Sequence, residues 1–530
     1  MDITDRAVNE VENRTMRTEA GRTVIVGAGV GGLAAAMALA GQGLHVTVLE
    51  RAAAPGGKMR QAFAGEAAID AGPTVLTMKD VFGTLFARCG ASLDDALTLT
   101  PLDLLARHAW SAEERLDLFA NPERTADAIG DFAGAGEARA FRAFAADSAA
   151  LYAMLDASFM RAARPPAWRL PLDILRHGGG VADLFRVKPF QSLWPALAAR
   201  FTDPRLRQLF GRYATYVGSS PLRAPATLML IAHAEQRGVW RVQGGMHALA
   251  LAMQRAAERA GATFAFGRDA SRIVVGPRGV EAVETAAGER FPASSVVFNG
   301  DAAALAGGLL GEEARRAAPA QPEARRSLSA VVACCATRTS GFPLAHHNVF
   351  FQADYASEFE DIFERRRMPL RPTVYICAQD RGDEGLAPGH GPERLQLLIN
   401  APAHQDGGGP DEAEIHQCLS RATQSLERCG LRLAPGPANL TTPTGFSALF
   451  PGTGGAIYGQ ACHGWLAPFR RPVSKSAVPG LYLAGGSIHP GPGVPMAAIS
   501  GMLAADRILA DLTSARPFPM AATRGGMSTR

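Results

Sequence analysis

Hydrophobic and polar positions change rhythm several times along the chain. Apolar residues fill 23–26, give way to Gly27, Gly29, Gly31 and Gly32, and continue into the small residues Ala34, Ala35 and Ala36. A second apolar run at 45–49 ends on Glu50. This order predicts strand, tight turn, helix and strand over 22–50, a βαβ unit. From 78 to 235 apolar residues recur mainly at helical spacing, broken by prolines, and predict a mainly helical region. Gly244 and Gly245 precede a helix predicted over 246–260. Apolar runs at 263–266, 272–275, 280–283 and 295–298 predict strands. Residues 327–450 read as strand-rich, with runs at 328–336, 348–351, 373–377 and 395–399 around one helix at 410–429. The end returns to a strand and glycine turn at 480–486 and a helix at 495–512.

Composition narrows the class. A chain of 530 residues is too long for one simple core, so two or three domains are expected. At 47% apolar and 20% charged it suits a folded soluble or membrane-surface protein. A formal charge of +4 is too small for this length to argue for nucleic acid. Seven cysteines occur without CxxC pairing or zinc spacing, so no metal site is expected, and the odd count suits a reducing compartment. Cys334 and Cys335, adjacent in an apolar run, read as buried strand thiols. Residues 1–20 are polar and lack the apolar stretch of a signal peptide, so they read as a disordered leader. Residues 514–530 read as a flexible tail. No window of about twenty apolar residues occurs, and no spanning helix is predicted.

The glycines carry the first chemistry. Gly27 permits the turn out of the strand, and Gly29 lets backbone approach a pyrophosphate. Gly32, with the alanines, lets the helix lie close on the sheet, and its N-terminus offers free N–H groups to phosphates. Glu50 stands where a carboxylate accepts from a ribose hydroxyl and repels a ribose phosphate, which argues against NADP. Gly56 and Gly57, just past that carboxylate, let the chain follow an extended FAD. Gly485, Gly486, Gly491 and Gly493 recreate strand, glycine turn and helix start near Val494, Pro495 and Met496. A helix N-terminus there stabilises negative charge on a reduced flavin. The cofactor expected from these motifs together is FAD.

Several blocks resemble the bacterial carotenoid desaturases, the phytoene desaturases and their relatives. They are Gly56-Gly57-Lys58-Met59-Arg60, Asp70-Ala71-Gly72-Pro73-Thr74, the stretch 296–301, the stretch 346–351 and His489-Pro490-Gly491-Pro492-Gly493. The resemblance runs from about residue 21 to 512. Val494-Pro495-Met496-Ala497, with His463-Gly464-Trp465 ahead of Phe469-Arg470-Arg471-Pro472, is more similar to the hydroxycarotenoid and methoxyneurosporene branch. It implies FAD-dependent 3,4-desaturation of a 1-hydroxylated acyclic carotenoid in carotenoid biosynthesis, with phytoene desaturation as the alternative. It also implies that Gly31, Arg51, Lys58, Arg60, Gly72, Pro73 and Thr74 join the cofactor site. His489 is the candidate for contact with flavin or substrate, against an equal reading as a turn imidazole bonded to backbone. His346 and His347 fit a loop or strand start better than catalysis. A polar-substrate amine oxidase and a non-catalytic prenyl-lipid binder remain alternatives on the same fold. No motif specifies the final electron acceptor.

A carotenoid has about forty carbons, and at ~0.8 kcal/mol per methylene-sized group its transfer to water costs on the order of 30 kcal/mol. Such a substrate must pass straight from a bilayer into the protein. Residues 161–212 hold ten Lys/Arg against three Asp, interleaved with Trp168, Phe185, Phe190 and Trp194. That mixture predicts contact with an anionic membrane surface. The expected location is cytoplasmic, peripheral on the inner face of the cell membrane. The expected fold class is α/β. A discontinuous Rossmann-like FAD-binding domain occupies 21–77, 236–301 and 455–513. A mixed-sheet substrate domain is inserted at 302–454, and a helical membrane-associating region at 78–235.

Overall fold

The computed structural model describes residues 21–176, 191–382, 391–404 and 408–514. The leader 1–20, most of the tail, Phe185 and Phe190 lie outside the described residues.

Two sheets organise the chain. The first has five parallel strands in the order Leu481–Leu483, Ser295–Phe298, Arg22–Val26, His45–Glu50 and Thr263–Phe266. Its strands come from four distant segments, as the interrupted apolar pattern predicts. Each is short with an apolar centre, and most of their residues are buried, as in parallel strands covered on both faces. The helix Val30–Ala40 is buried along its whole length, which its run of Gly and Ala permits. The helix Val494–Ser514 crosses it so closely that a Cβ on Gly501 would stand 2.1 Å from the Gly31 carbonyl oxygen. Small residues at the crossing, rather than large ones interdigitating, set this approach.

The second sheet is mixed and seven-stranded. Its order is Ala438–Thr441, Ser329–Thr337, Glu393–Ala401, Val374–Ala378, His347–Phe350, Leu104–Ala109 and Arg115–Phe119. All pairs are antiparallel except His347–Phe350 with Leu104–Ala109. The last two strands come from the stretch expected to be mainly helical. Leu104–Ala109 is buried on both faces, so its apolar run carries no period-two signature. Arg115–Phe119 does alternate, with Leu116 and Leu118 buried.

Among the described residues, 122–236 contributes the helices Pro122–Ala133, Ala135–Leu155, Leu170–Arg176 and Leu230–Gln236. A cluster of Phe141, Phe144, Phe201 and Phe210 packs its centre, with Phe144 and Phe210 centroids 4.6 Å apart. No described helix is long and apolar enough to cross a membrane.

Candidate active site

A cavity of about 1130 Å³ is lined by both sheets and by the helical segments. It exceeds the roughly 300–1,000 Å³ of ordinary small-molecule sites. Its two ends differ in chemistry.

One end is backbone. The Gly27 amide donates to the Leu49 carbonyl (2.8 Å) and the Gly56 amide to the Ala28 carbonyl (2.8 Å), so both glycine loops are tied to one strand end. A Cβ on Gly57 would lie 3.2 Å from the Gly29 Cα, and Gly57 has φ +58°, a conformation that glycine adopts without strain. The helix Val30–Ala40 starts at Gly29 with no side-chain cap and no acidic residue in its first turn. Its leading amides are therefore available to an anion. Glu50 is buried beside them; its two oxygens accept from the Ala28 (2.7 Å) and Ala52 (2.8 Å) amides. A carboxylate has lone pairs beyond these two bonds for a ribose hydroxyl. An uncapped helix start, a glycine cradle and a carboxylate fit FAD.

Gly27, Gly29, Gly31, Glu50, Arg51, Gly56, Gly57, Lys58, Gly72, Pro73, Thr74, Gly485, Gly486, Gly493, Val494, Pro495 and Met496 all line this cavity. Three expected contacts do not. Gly32 is set back, where a Cβ would meet the Gly27 carbonyl oxygen at 2.1 Å, so its task is packing. Arg60 turns to the second sheet and donates to the Thr441 hydroxyl at 2.7 Å. His489 is buried behind the lining, its Nε2 donating to the Ala162 carbonyl at 3.0 Å and its ring edge-on to Phe159. Burial pushes its imidazole down to about 4, so it is neutral and ties the terminal turn to the helical region. Lys58 donates to the Ile457 carbonyl at 2.6 Å, and burial lowers its ammonium from the usual lysine range.

Asn299 is the contact the sequence reading missed. Its Nδ2 donates to the Gly27 carbonyl at 3.1 Å, and its Oδ1 would stand 2.6 Å from a Cβ on Gly31. It joins the first glycine turn to Gly485, which packs against it. Its place after a parallel strand of the same sheet was the available signal.

The other end is side chains. Leu155, Phe159, Ile174, Val332, Val349 and Leu398 give it an apolar wall, interrupted by Arg212, Tyr216, Glu235 and Tyr375. The Tyr375 hydroxyl shares hydrogen bonds with Thr74 Oγ1 (2.6 Å) and His347 Nδ1 (2.7 Å). His346 donates from Nδ1 to the Arg381 carbonyl (3.0 Å), and its Nε2 lies 3.7 Å from Cys377 Sγ. Neither histidine lines the cavity; both sit behind the Tyr375 wall.

At the mouth, Ala167, Leu170, Pro171 and Ile174 line the cavity while their neighbours Trp168, Leu172 and Leu175 face outward, Trp168 being 74% exposed. Trp194, expected beside it, is instead half-buried, its ring against Gly211 and 6.1 Å from that of Tyr355. Several of the described basic residues of 161–212 are engaged within the fold. Arg161 pairs with Asp80 and Asp156, Arg200 with Asp147, and Arg205 with Asp203 and Glu114. Arg212 is buried in the cavity wall. These arginines hold the helical region together rather than forming one basic face.

Comparison with known proteins agrees with this geometry. Residues 30–509 match the family described as flavin containing amine oxidoreductase. The chain is 51% identical over 512 residues to a hydroxyneurosporene desaturase of Rubrivivax gelatinosus, covering 96% of this chain and 97% of that protein. It is 47% identical to a hydroxyneurosporene desaturase of Cereibacter sphaeroides, covering 94% and 99%, and 32% identical to a phytoene dehydrogenase of Streptomyces griseus, covering 93% and 96%. A solved putrescine oxidase shares the fold, with a TM-score of 0.57 at 17% identity over 92% of this chain and 99% of that one. With the glycine cradle, the uncapped helix and Glu50 all present, the chain belongs to the flavin containing amine oxidoreductases and is an oxidoreductase with FAD as its cofactor.

Proposed function

We propose that this protein desaturates an acyclic carotenoid, introducing the 3,4 double bond into a 1-hydroxylated substrate of the hydroxyneurosporene type. The observation that carries this reading is the continuity of one cavity, glycine-lined at one end and apolar at the other. Near full-length similarity to hydroxyneurosporene desaturases supports the choice of branch, since the phytoene dehydrogenase stands well below them. Bound FAD would supply the two-electron acceptor for hydride from one carbon, while the neighbouring carbon loses a proton to a weak base as the double bond forms. The chain's own contribution is placement. Apolar walls hold the polyene and exclude water, and Gly72, Pro73 and Thr74 bring backbone close where cofactor and substrate meet. Purified protein with FAD and liposomes should convert a 1-hydroxyneurosporene-type carotenoid, read by its absorption shift to longer wavelength. Conversion of phytoene alone would overturn the reading.

The mouth supports delivery from the inner face of a membrane. Trp168, Leu172 and Leu175 are exposed beside cavity-lining neighbours, with Arg169 and Arg176 about half-exposed among them. Apolar residues flanked by cations are the pattern of an interfacial helix. Trp168→Glu should reduce flotation with anionic liposomes several-fold while leaving flavin content intact. Full flotation of the variant would remove Trp168 from the docking surface.

A further inference from the structure

Arg212 is an unusual presence in an apolar cavity. It is 94% buried, and it lines the same volume as the glycine loops. Its Nη1 donates to the Tyr216 hydroxyl at 2.9 Å. That hydroxyl donates in turn to Glu235 Oε1 at 2.6 Å, and the Tyr213 hydroxyl donates to Glu235 Oε2 at 2.8 Å. The Arg212 guanidinium lies over the Tyr216 ring, 5.1 Å from its centroid. Among the described residues, however, its Nε and Nη2 have no hydrogen-bond partner. A buried guanidinium with two idle N–H groups is costly unless something else accepts from them. The supporting tyrosines and carboxylate hold the group in place at the cavity wall.

The chemistry of the partner follows from the neighbours. It must accept from Arg212. A carboxylate ligand would accept, but it would face the Glu235 carboxylate one hydroxyl away. A neutral hydroxyl accepts from Arg212 and donates its own proton to Glu235 or to the Tyr216 oxygen. We propose that Arg212, held by Tyr216 and Glu235, is the residue that recognises the hydroxyl of a 1-hydroxylated carotenoid and so determines substrate specificity. This rests on the desaturase reading above.

The position suits the reaction. The hydroxyl-bearing carbon of such a substrate is only two bonds from the nearer carbon of the new double bond. A site for the hydroxyl must therefore lie near the cofactor loops. Tyr375, which lines the same cavity as Arg212 and Tyr216, bonds directly to Thr74 of the Gly72-Pro73-Thr74 loop. Fixing the hydroxyl would fix the register of a long, otherwise featureless polyene against the cofactor. In the sequence Arg212 belongs to a basic stretch suited to a membrane surface; burial removes it from that role.

The test compares polyenes that differ only at carbon 1: hydroxyl, methoxy and hydrogen. Wild-type enzyme should favour the hydroxyl over hydrogen by roughly 10- to 100-fold in kcat/KM, with methoxy between them because it accepts but does not donate. Arg212→Met should collapse that ratio towards one, mostly through KM, and Arg212→Lys should restore part of it. Binding without turnover, followed by the polyene absorption, should show the same loss. Should Arg212→Met fail to fold, Tyr216→Phe, which loosens the guanidinium, should lower the ratio several-fold. A folded, flavin-loaded Arg212→Met enzyme that keeps the full hydroxyl preference overturns the assignment. Failure of the wild-type enzyme to convert the hydroxylated substrate at all would instead overturn the desaturase reading.

Discussion

The two ends of the cavity are built by opposite means. At the cofactor end the functional atoms are backbone amides and carbonyls, brought together because glycines let loops touch. At the substrate end they are side chains of Arg212, Tyr216, Glu235 and Tyr375, carried on separate elements and bonded to one another. The first end admits no Cβ at Gly31 or Gly56 without a clash and relies on few side chains, chiefly Glu50 and Asn299. The second end tolerates changes of volume better than the loss of one polar atom, since each buried group depends on the next. The cofactor end thus relies mainly on backbone and the other end mainly on side chains.

The largest expected effect strikes the backbone end. Gly31→Val would bring carbon within 2.8 Å of the Gly485 amide nitrogen and 2.6 Å of Asn299 Oδ1. Backbone cannot yield there as a flexible side chain would. The variant should retain a folded circular-dichroism spectrum but lose bound FAD, with affinity down more than about 100-fold. A variant that purifies yellow with full flavin content would break the comparison.

Next in size is a pH effect behind the substrate wall. Glu358 is fully buried, and burial raises its carboxyl to about 7 against the hydrogen bonds from Thr373 and Asn400, which favour the charged form. Thr373 and Asn400 themselves line the cavity. Because the folded value lies above the ordinary 4.5, the folded state holds this proton more tightly than the unfolded chain. Stability from this group is full below about 4.5 and is lost as pH rises through 7. Glu358→Gln should therefore flatten the stability profile over that window. It should raise stability at pH 8 relative to wild type by roughly 3 kcal/mol at most, with little gain at pH 4. Denaturant titrations at several pH values measure this, and parallel profiles for the two proteins would refute it.

A smaller effect tests whether any side chain matters at the glycine end. Asn299→Ala removes the bond to the Gly27 carbonyl and leaves the junction with Gly485 unfilled. FAD affinity should fall about tenfold by fluorescence titration, corresponding to about 1–2 kcal/mol. The hydroxyl preference ascribed to Arg212 should not move. A change in that preference would show that the two ends are not separable.

Legibility in the sequence follows the same division. The elements at 22–50, 263–266, 295–298 and 480–512 were readable because strand, turn and helix signals are local, and the structure places them in one parallel sheet. Glu50, Gly56, Gly57, Gly485, Gly486 and the stretch 490–496 reach the cavity as their motifs imply. Leu104–Ala109 was not readable as a strand, since burial on both faces erases alternation. His489 looked like a site residue because it stands in the turn of the terminal motif. Only packing shows its ring behind Phe159 and bonded to the Ala162 carbonyl rather than lining the cavity. Trp194 and most arginines of 161–212 looked like a membrane face because composition carries no direction. The fold turns Trp194 inward and pairs Arg161, Arg200 and Arg205 with carboxylates distant in sequence.

The sequence alone determined the cofactor. Its recognition rests on backbone geometry that short glycine motifs encode locally, and the joining of two motifs more than four hundred residues apart follows from strand pairing. What faces the substrate was decided only by the tertiary structure. Arg212, Glu235 and Tyr375 have no shared motif, and their side chains acquire a common purpose only when a helix, a 3-10 turn and a strand of the second sheet close around one cavity.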